Sequence, residues 1–450
     1  MARARLYDDN LYRFDVAQPS YWEATAVDAD TGAAPLESDA SCDVAVIGGG
    51  YTGLSAALHL ARDHGIDTAV LEAGHIGWGA SGRNGGFCCI GGTGLPRERL
   101  IRLAGPEHAR AFYRASVDAV ELVRSLLRDE AIDADPMGDA EFEVAHSPRA
   151  ARALETGRDA LVDALGIDAA WLPAADARQR LYDSPENFGA LRIRPAFGLH
   201  PLRFCRGLAA AAKRHGASLF DHSEVLRWTR DDRGRHRLAT RGATLRARRV
   251  VYACNGFMHE QLHPAFHGTT LPIISAILVT RRLSDSQRER QRWLLDDPAI
   301  NSRHLLNYFR LLPDGRLLFG GRGLGSGDPV NESATYARLA AELQRQWPAW
   351  RDVEVDYRWQ GLICATATLL PAVGRLAQDD SVFFAYGYHG NGVNMATWAG
   401  RQLAAWIAAD ARPAAVPAML AGAPRRFPLP RLRRAMFRVG VALARWHDRR

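Results

Sequence analysis

Three glycines and one acid carry the clearest chemical signal in this chain: Gly48-x-Gly50-x-x-Gly53, with Glu72 nineteen positions after the last of them. That spacing suits a dinucleotide. Gly48 permits a tight turn, Gly50 lets the backbone approach a pyrophosphate, and Gly53 lets a helix pack closely on a strand. The pyrophosphate would rest on the helix N-terminus, where free N–H groups and the helix dipole favour negative charge. Glu72 stands where a ribose 2′-hydroxyl could donate to it. A second glycine-rich stretch, AGHIGWGASGRNGGF, follows at once over 73–87. It is long for a connection, and connections of that kind are usually functional. A third, Gly387-Tyr388-His389-Gly390-Asn391-Gly392, precedes a helical pattern.

Regular elements must hold these turns in place. Asp43 to Ile47 reads as a buried strand and Thr68 to Leu71 as a second. Between them Leu54, Ala57, Leu58 and Ala61 form the apolar stripe of a helix that Gly65 ends. Further along, helices are expected over 107–129 and from Pro201 to about His215. Short strands are expected around Val225, Leu238 and Leu245, then a buried strand from Arg249 to Ala253. ILVTRRL and YFRLLPDGRLLFGGR read as β, the latter a hairpin turning at Pro313-Asp314-Gly315. A strand at Val382–Tyr386 leads through the third glycine turn into a helix from about Val393 to Ala408. The expected fold class is α/β (α+β): an interrupted Rossmann-like domain of the glutathione-reductase type plus a β-rich substrate domain. The dinucleotide domain would take 41–100, 191–270 and 356–412, and the cap 101–190 and 271–355. Residues 1–40 would form an irregular arm and 413–450 a basic amphipathic tail.

Composition narrows the classes. The 450 residues are 47% hydrophobic and 24% charged, ordinary for a globular protein. The net charge is +7, but Lys213 is the only lysine and the arginines are scattered except near the C-terminus, so no nucleic-acid partner is expected. Cys42, Cys88, Cys89, Cys205, Cys254 and Cys364 show no metal spacing and suit a reducing compartment. No metal is expected. Neither a signal peptide nor a run of eighteen apolar residues occurs, which points to the cytoplasm.

The βαβ unit, ASGRNGGF, GLHPLRFCRGLAAAA, VVYACNG, YFRLLPDGRLLFGGR and FFAYGYHGNGVNMATWAG together resemble the FAD-dependent amine and amino-acid oxidase superfamily, which includes D-amino-acid, glycine and sarcosine oxidases. With SYWEATA in the arm, they are most similar to its γ-glutamylputrescine oxidoreductase branch. The resemblance implies a non-covalent FAD lying extended. Gly48, Gly49, Gly50, Tyr51, Thr52 and Gly53 would serve the pyrophosphate turn, and Glu72 with Ala73 the adenosine ribose. Gly79, Ala80, Ser81, Asn84, Gly85 and Gly86 would run past pyrophosphate and flavin, Val225 would meet the adenine, and Ala253 and Asn255 would flank the nucleotide. Gly390, Asn391, Gly392 and Val393 would point free N–H groups at the flavin edge that turns negative on reduction.

Oxidising an amine to an imine moves a hydride to flavin N5 and requires the nitrogen to be unprotonated, so a group titrating near neutrality would help. His389 is the candidate, with a structural role as the alternative. Tyr308 and Arg310 lie on the hairpin that roofs the substrate in this superfamily, and Arg322 follows its second strand. Relatives hold a substrate carboxylate with an arginine in a GLRP-like turn or over the flavin. Here those positions read Gly361-Leu362-Ile363-Cys364 and Gly387-Tyr388-His389-Gly390. That favours a small amine without an adjacent carboxylate, unless Arg310 or Arg322 supplies the charge. Sarcosine oxidase activates oxygen with a lysine that the matching strand, Gly315 to Gly320, lacks. The electron acceptor is therefore oxygen or another molecule, and the competing activity is an amino-acid or N-methyl-amino-acid dehydrogenase. A covalent flavin link near Cys364 is out of register, and Cys88–Cys89 read as buried thiols rather than a redox pair. In the tail, arginines alternate with Leu432, Met436, Val439 and Leu443. Such a helix can pack on its own protein or make peripheral contact with an anionic membrane at the inner face.

Overall fold

The computed structural model describes residues 5–26, 31–323 and 325–448. The expectations for 1–4, 27–30, 449–450 and the Leu443 side chain lie outside the described residues. Val44, Ala45, Val46 and Ile47 are all buried, as a central parallel strand requires. Their strand, Ala40–Ile47, pairs in parallel with Thr68–Leu71 and with Thr244–Tyr252. Ser218–Phe220 extends the sheet on one side. Val382–Tyr386 and Ala372–Arg375 extend it on the other. Alternation sorts the side chains: Val44, Val46 and Val251 face a helical layer, while Ala45, Ile47 and Tyr252 face a second core with Phe266 and Phe384. The helical layer holds Tyr51–His64, Pro201–Arg214 and Gly392–Ala409. Leu54, Ala57 and Leu58 are fully buried there, and each buried leucine contributes about 2–3 kcal/mol. Gly65 ends the first helix in a left-handed conformation.

The second sheet runs in the order Val355–Thr366, Thr270–Thr280, Leu317–Arg322, Tyr308–Leu311, Ala299–Asn301, Glu141–Val144, Gly189–Arg194, Asp168–Pro173. Its back packs Phe142, Phe309 and Phe319 against Trp293, Trp347 and Trp350 beneath the helix Pro329–Gln346. Its front faces the first sheet. The hairpin forms where its Pro-Asp-Gly turn demands, as Tyr308–Leu311 and Leu317–Arg322.

Several expectations shift. Leu245 and Arg249–Tyr252 belong to one strand, Thr244–Tyr252, which ends one residue before Ala253, and Val225 precedes the strand Arg227–Arg230 instead of lying in one. Val355–Thr366, drawn with the dinucleotide segments from 356 on, pairs along its length with Thr270–Thr280 in the second sheet. Its sequence, VDYRWQGLICAT, carries no clean alternation to reveal this. Pro106–Asp129, drawn with the cap, buries Phe112, Ala119 and Val123 in the same core as Met395 and Trp398 of the dinucleotide helices.

The N-terminal arm is a strap. Ser20 caps a short helix, Tyr21–Thr25. Trp22 Nε1 donates to Asn84 O at 2.8 Å. Tyr21 and Trp22 pack with Leu202, Ile277 and Trp359. The C-terminal helix Arg433–Asp448 docks through one face. Arg433 Nη2 donates to both Glu260 oxygens at 2.8 and 2.7 Å, and Phe437 meets Leu271, Ile273 and Ala365. Leu432, Met436 and Val439 face outward, 52–62% exposed.

Candidate active site

A cavity of about 450 Å3 lies between the two sheets. Its floor is the glycine turn after Ala40–Ile47. Gly48 has φ +114°, and a Cβ on Gly53 would stand 2.0 Å from Gly48 O, so neither position tolerates a side chain. The helix that follows has Gly50 as its N-cap and no side-chain cap. Tyr51 N–H donates to Ser81 Oγ at 2.9 Å. Glu72 accepts from Gly49 N–H at 2.6 Å and Gly74 N–H at 3.1 Å. Burial pushes its carboxyl above the ordinary value despite those donors.

Of the predicted cofactor residues, Gly48, Gly50, Tyr51, Thr52, Glu72, Ala73, Gly79, Ala80, Ser81, Asn84, Gly85, Val225, Ala253, Asn255, Gly390, Asn391, Gly392 and Val393 line the cavity. Gly49, Gly53 and Gly86 do not. Gly53 and Gly86 admit close backbone packing instead, for a Cβ on Gly86 would meet Leu199 O at 2.0 Å. Arg83 is the one charged residue of the GRNGG string, and nothing in the local spacing marks it as part of the site. It lines the cavity, Nε donates to Trp78 O at 2.6 Å, and Nη2 is buried without a partner. An open helix end and an unpaired guanidinium nitrogen suit a diphosphate, and buried Glu72 suits a ribose. The residues present therefore fit an extended dinucleotide.

The roof is polar. Tyr308 lies across Gly320, its hydroxyl 2.9 Å from Ser275 Oγ, and burial pushes it up to about 12. Arg322 lines the cavity with Nη1 buried and unpartnered, and burial lowers its pKa. Arg310 does not reach the cavity. It is fully buried, donating to Gly85 O at 2.9 Å and Leu199 O at 2.6 Å, so its charge is committed to backbone. His389 does line the cavity, at φ +53°, with Nε2 3.4 Å from Thr366 Oγ1. Burial drives its imidazole down to about 4, so it does not titrate near neutrality as expected. Glu141 and Arg97, neither anticipated, also line the cavity. The alternation Glu141-Phe142-Glu143-Val144 reads as polar-to-solvent, which hid the fact that its polar face turns inward.

A mainly parallel sheet with a glycine turn at its helix end, roofed by a mainly antiparallel sheet across a shared cavity, is the architecture of a dinucleotide-dependent oxidoreductase. Residues 43–406 match the DAO family of FAD dependent oxidoreductases, and the chain belongs to that family. It uses FAD, as the resemblance implied. The γ-glutamylputrescine oxidoreductase of Escherichia coli (strain K12) is 31% identical over 380 residues, covering 84% of this chain and 86% of that protein. The glycine oxidase of Bacillus subtilis (strain 168) is 25% identical over 362 residues, covering 79% and 89%. Among solved structures, glycine oxidase from Geobacillus kaustophilus superposes with a TM-score of 0.69 at 22% identity, covering 85% of this chain and 98% of that one. L-proline dehydrogenase from P. horikoshii gives 0.68 at 18%, covering 85% and 97%. These two structural likenesses concern the fold.

Proposed function

We propose that the protein oxidises the terminal C–N bond of an amine whose carboxylate lies far from the reacting nitrogen, a γ-glutamylputrescine-like substrate. The observation that carries this is Arg322, a cavity-lining guanidinium with an unpartnered nitrogen on the roof. The positions where relatives hold an adjacent carboxylate carry Ile363 and His389 instead. FAD, when bound, accepts the hydride. The chain's part is to hold it and to orient the amine. Gly48, Gly50, Tyr51, Thr52 and Arg83 would hold its diphosphate, Glu72 its ribose, and Gly390 to Val393 its flavin edge. Non-covalent attachment is supported by Cys364, whose thiol burial holds far above the thiolate range. The test is anaerobic mixing with γ-glutamylputrescine, putrescine, sarcosine and D-alanine while following flavin absorbance. Bleaching fastest with γ-glutamylputrescine is the expected result. Bleaching by sarcosine or D-alanine alone would replace this reading with an amino-acid dehydrogenase, and readmitted air separates oxidase from dehydrogenase.

A membrane-borne electron acceptor is supported by the C-terminal helix. Residues 413–450 hold nine arginines and one aspartate, so the preceding 412 residues sum to −1 of the chain's +7. The outward stripe of Leu432, Met436 and Val439 beside that charge fits an anionic lipid surface. The intact protein should float with phosphatidylserine vesicles and not with phosphatidylcholine ones. The double change Met436→Glu and Val439→Glu should abolish flotation, and flotation that survives it would remove this reading.

A further inference from the structure

We propose that Glu141 is the proton acceptor for the substrate's reacting ammonium group, working across the cavity from Arg322; this rests on the substrate class proposed above. The two residues share one face of the roof. Glu143, Ile300, Tyr308 and Gly320 form one row across four neighbouring strands. Glu141 lies two residues to one side of that row and Arg322 two residues to the other. Alternation therefore points both into the same cavity, which both line. At three strand spacings across and four residues along, their Cα atoms stand on the order of 20 Å apart, a span that the two side chains shorten. An extended molecule with an amine at one end and a carboxylate at the other fits such a pair. An α-amino acid, whose two groups share one carbon, does not.

Among the described residues the guanidinium nearest Glu141 is paired elsewhere. Arg97, of the helix Arg97–Ala104, also lines the cavity, but its Nη2 donates to Glu143 at 2.7 Å. Glu143 and Arg97 are the charged neighbours, and the Cys89 thiol is the side chain hydrogen-bonded to Glu141. Cys89 in turn fixes the carboxyl against the third glycine turn, because its carbonyl accepts from Asn391 Nδ2 at 2.8 Å and Asn394 Nδ2 at 2.9 Å. Among the described residues nothing positively charged pairs with this buried carboxyl, so an arriving ammonium is its natural partner.

The step is a proton transfer. One N–H bond of the ammonium breaks, the proton passes to a Glu141 oxygen, and the pair of electrons stays on nitrogen. An ion pair becomes a neutral amine beside a neutral acid, which a low-dielectric cavity favours. Burial, with Glu143 beside it, raises the Glu141 carboxyl to about 7, where a base for neutral solution should lie.

The test is anaerobic stopped-flow reduction of the FAD-loaded enzyme, from about pH 5.5 to 9, with whichever amine bleaches the wild type. The limiting rate should fall below about pH 7 in the wild type. Glu141→Gln should lose roughly 10²–10³ in rate together with that acidic limb, and Glu141→Asp should restore the limb. A second readout is equilibrium binding of γ-glutamylbutylamine, which has the carboxylate but no reacting amine, followed by flavin spectral perturbation. Its affinity should be unchanged in Glu141→Gln. A wild-type rate and limb in Glu141→Gln would overturn the proposal, as would lost affinity for the analogue, which would mean a structural role. If γ-glutamylputrescine fails to bleach the wild type while another amine succeeds, the substrate reading falls, and the limb comparison with that amine still decides Glu141.

Discussion

Floor and roof meet the cavity with different chemistry. The floor presents backbone: a glycine turn, two helix N-termini, and one arginine and one glutamate whose partners are largely main-chain groups. The roof presents side chains, Glu141, Tyr308 and Arg322, held by an aromatic layer behind the sheet. Backbone recognition is rigid and forbids substitution, because a Cβ has nowhere to go. Side-chain recognition leaves the backbone free and places specificity in a few charges. A generic cofactor suits the first and a particular substrate the second.

Changes on the two sides should therefore differ in kind. Gly53→Ala puts a carbon 2.0 Å from Gly48 O and should yield protein without flavin, read as loss of visible absorbance; a yellow variant would break the contrast. Arg310→Met, which leaves two buried carbonyls unpaired, should lower unfolding stability by ~4 kcal/mol with the ratio of rates among substrates unchanged. Glu141→Gln should do the reverse to stability. The wild-type carboxyl titrates at about 7 folded against 4.5 ordinarily. The folded state thus binds the extra proton between those values, and stability falls as pH rises through them. The variant should gain ~3 kcal/mol over the wild type at pH 8 and nothing below pH 4.5, by denaturant titration. Arg322→Met should cost about 2 kcal/mol, some 30-fold in KM, for a carboxylate-bearing amine and leave putrescine unaffected; equal losses for both would show that Arg322 is structural. His389→Asn should have the smallest effect, under ~1 kcal/mol, with no change of the pH profile between 6 and 9, because its imidazole, near 4, stays neutral throughout.

The same contrast explains what could be read from residues alone. The glycine spacing, the Glu72 strand end and the Pro-Asp-Gly hairpin are local rules, so the floor and the hairpin were legible. Arg310 and Arg322 stand twelve residues apart in one hairpin and differ only in what lies over them: carbonyls of Gly85 and Leu199 for one, open cavity for the other. Glu141 shows no periodicity that separates a wall of a cavity from a face in water. His389 sat in the right turn, but its burial, which fixes its proton affinity, depends on Thr366, Leu370 and Gly94, far away in sequence.

The strap formed by residues 21–26 bears on how the holoenzyme is assembled. This segment precedes all of its partners in the chain, and these, Asn84, Leu202, Ile277 and Trp359, are spread as far as position 359. Its docking must wait until most of the protein has been made. Until then the glycine-rich segment at 79–86 lacks this cover on the Trp22 side. Closure of Trp22 over Asn84 is thus a late step of folding, taken after the strands that carry Ile277 and Trp359 are in place.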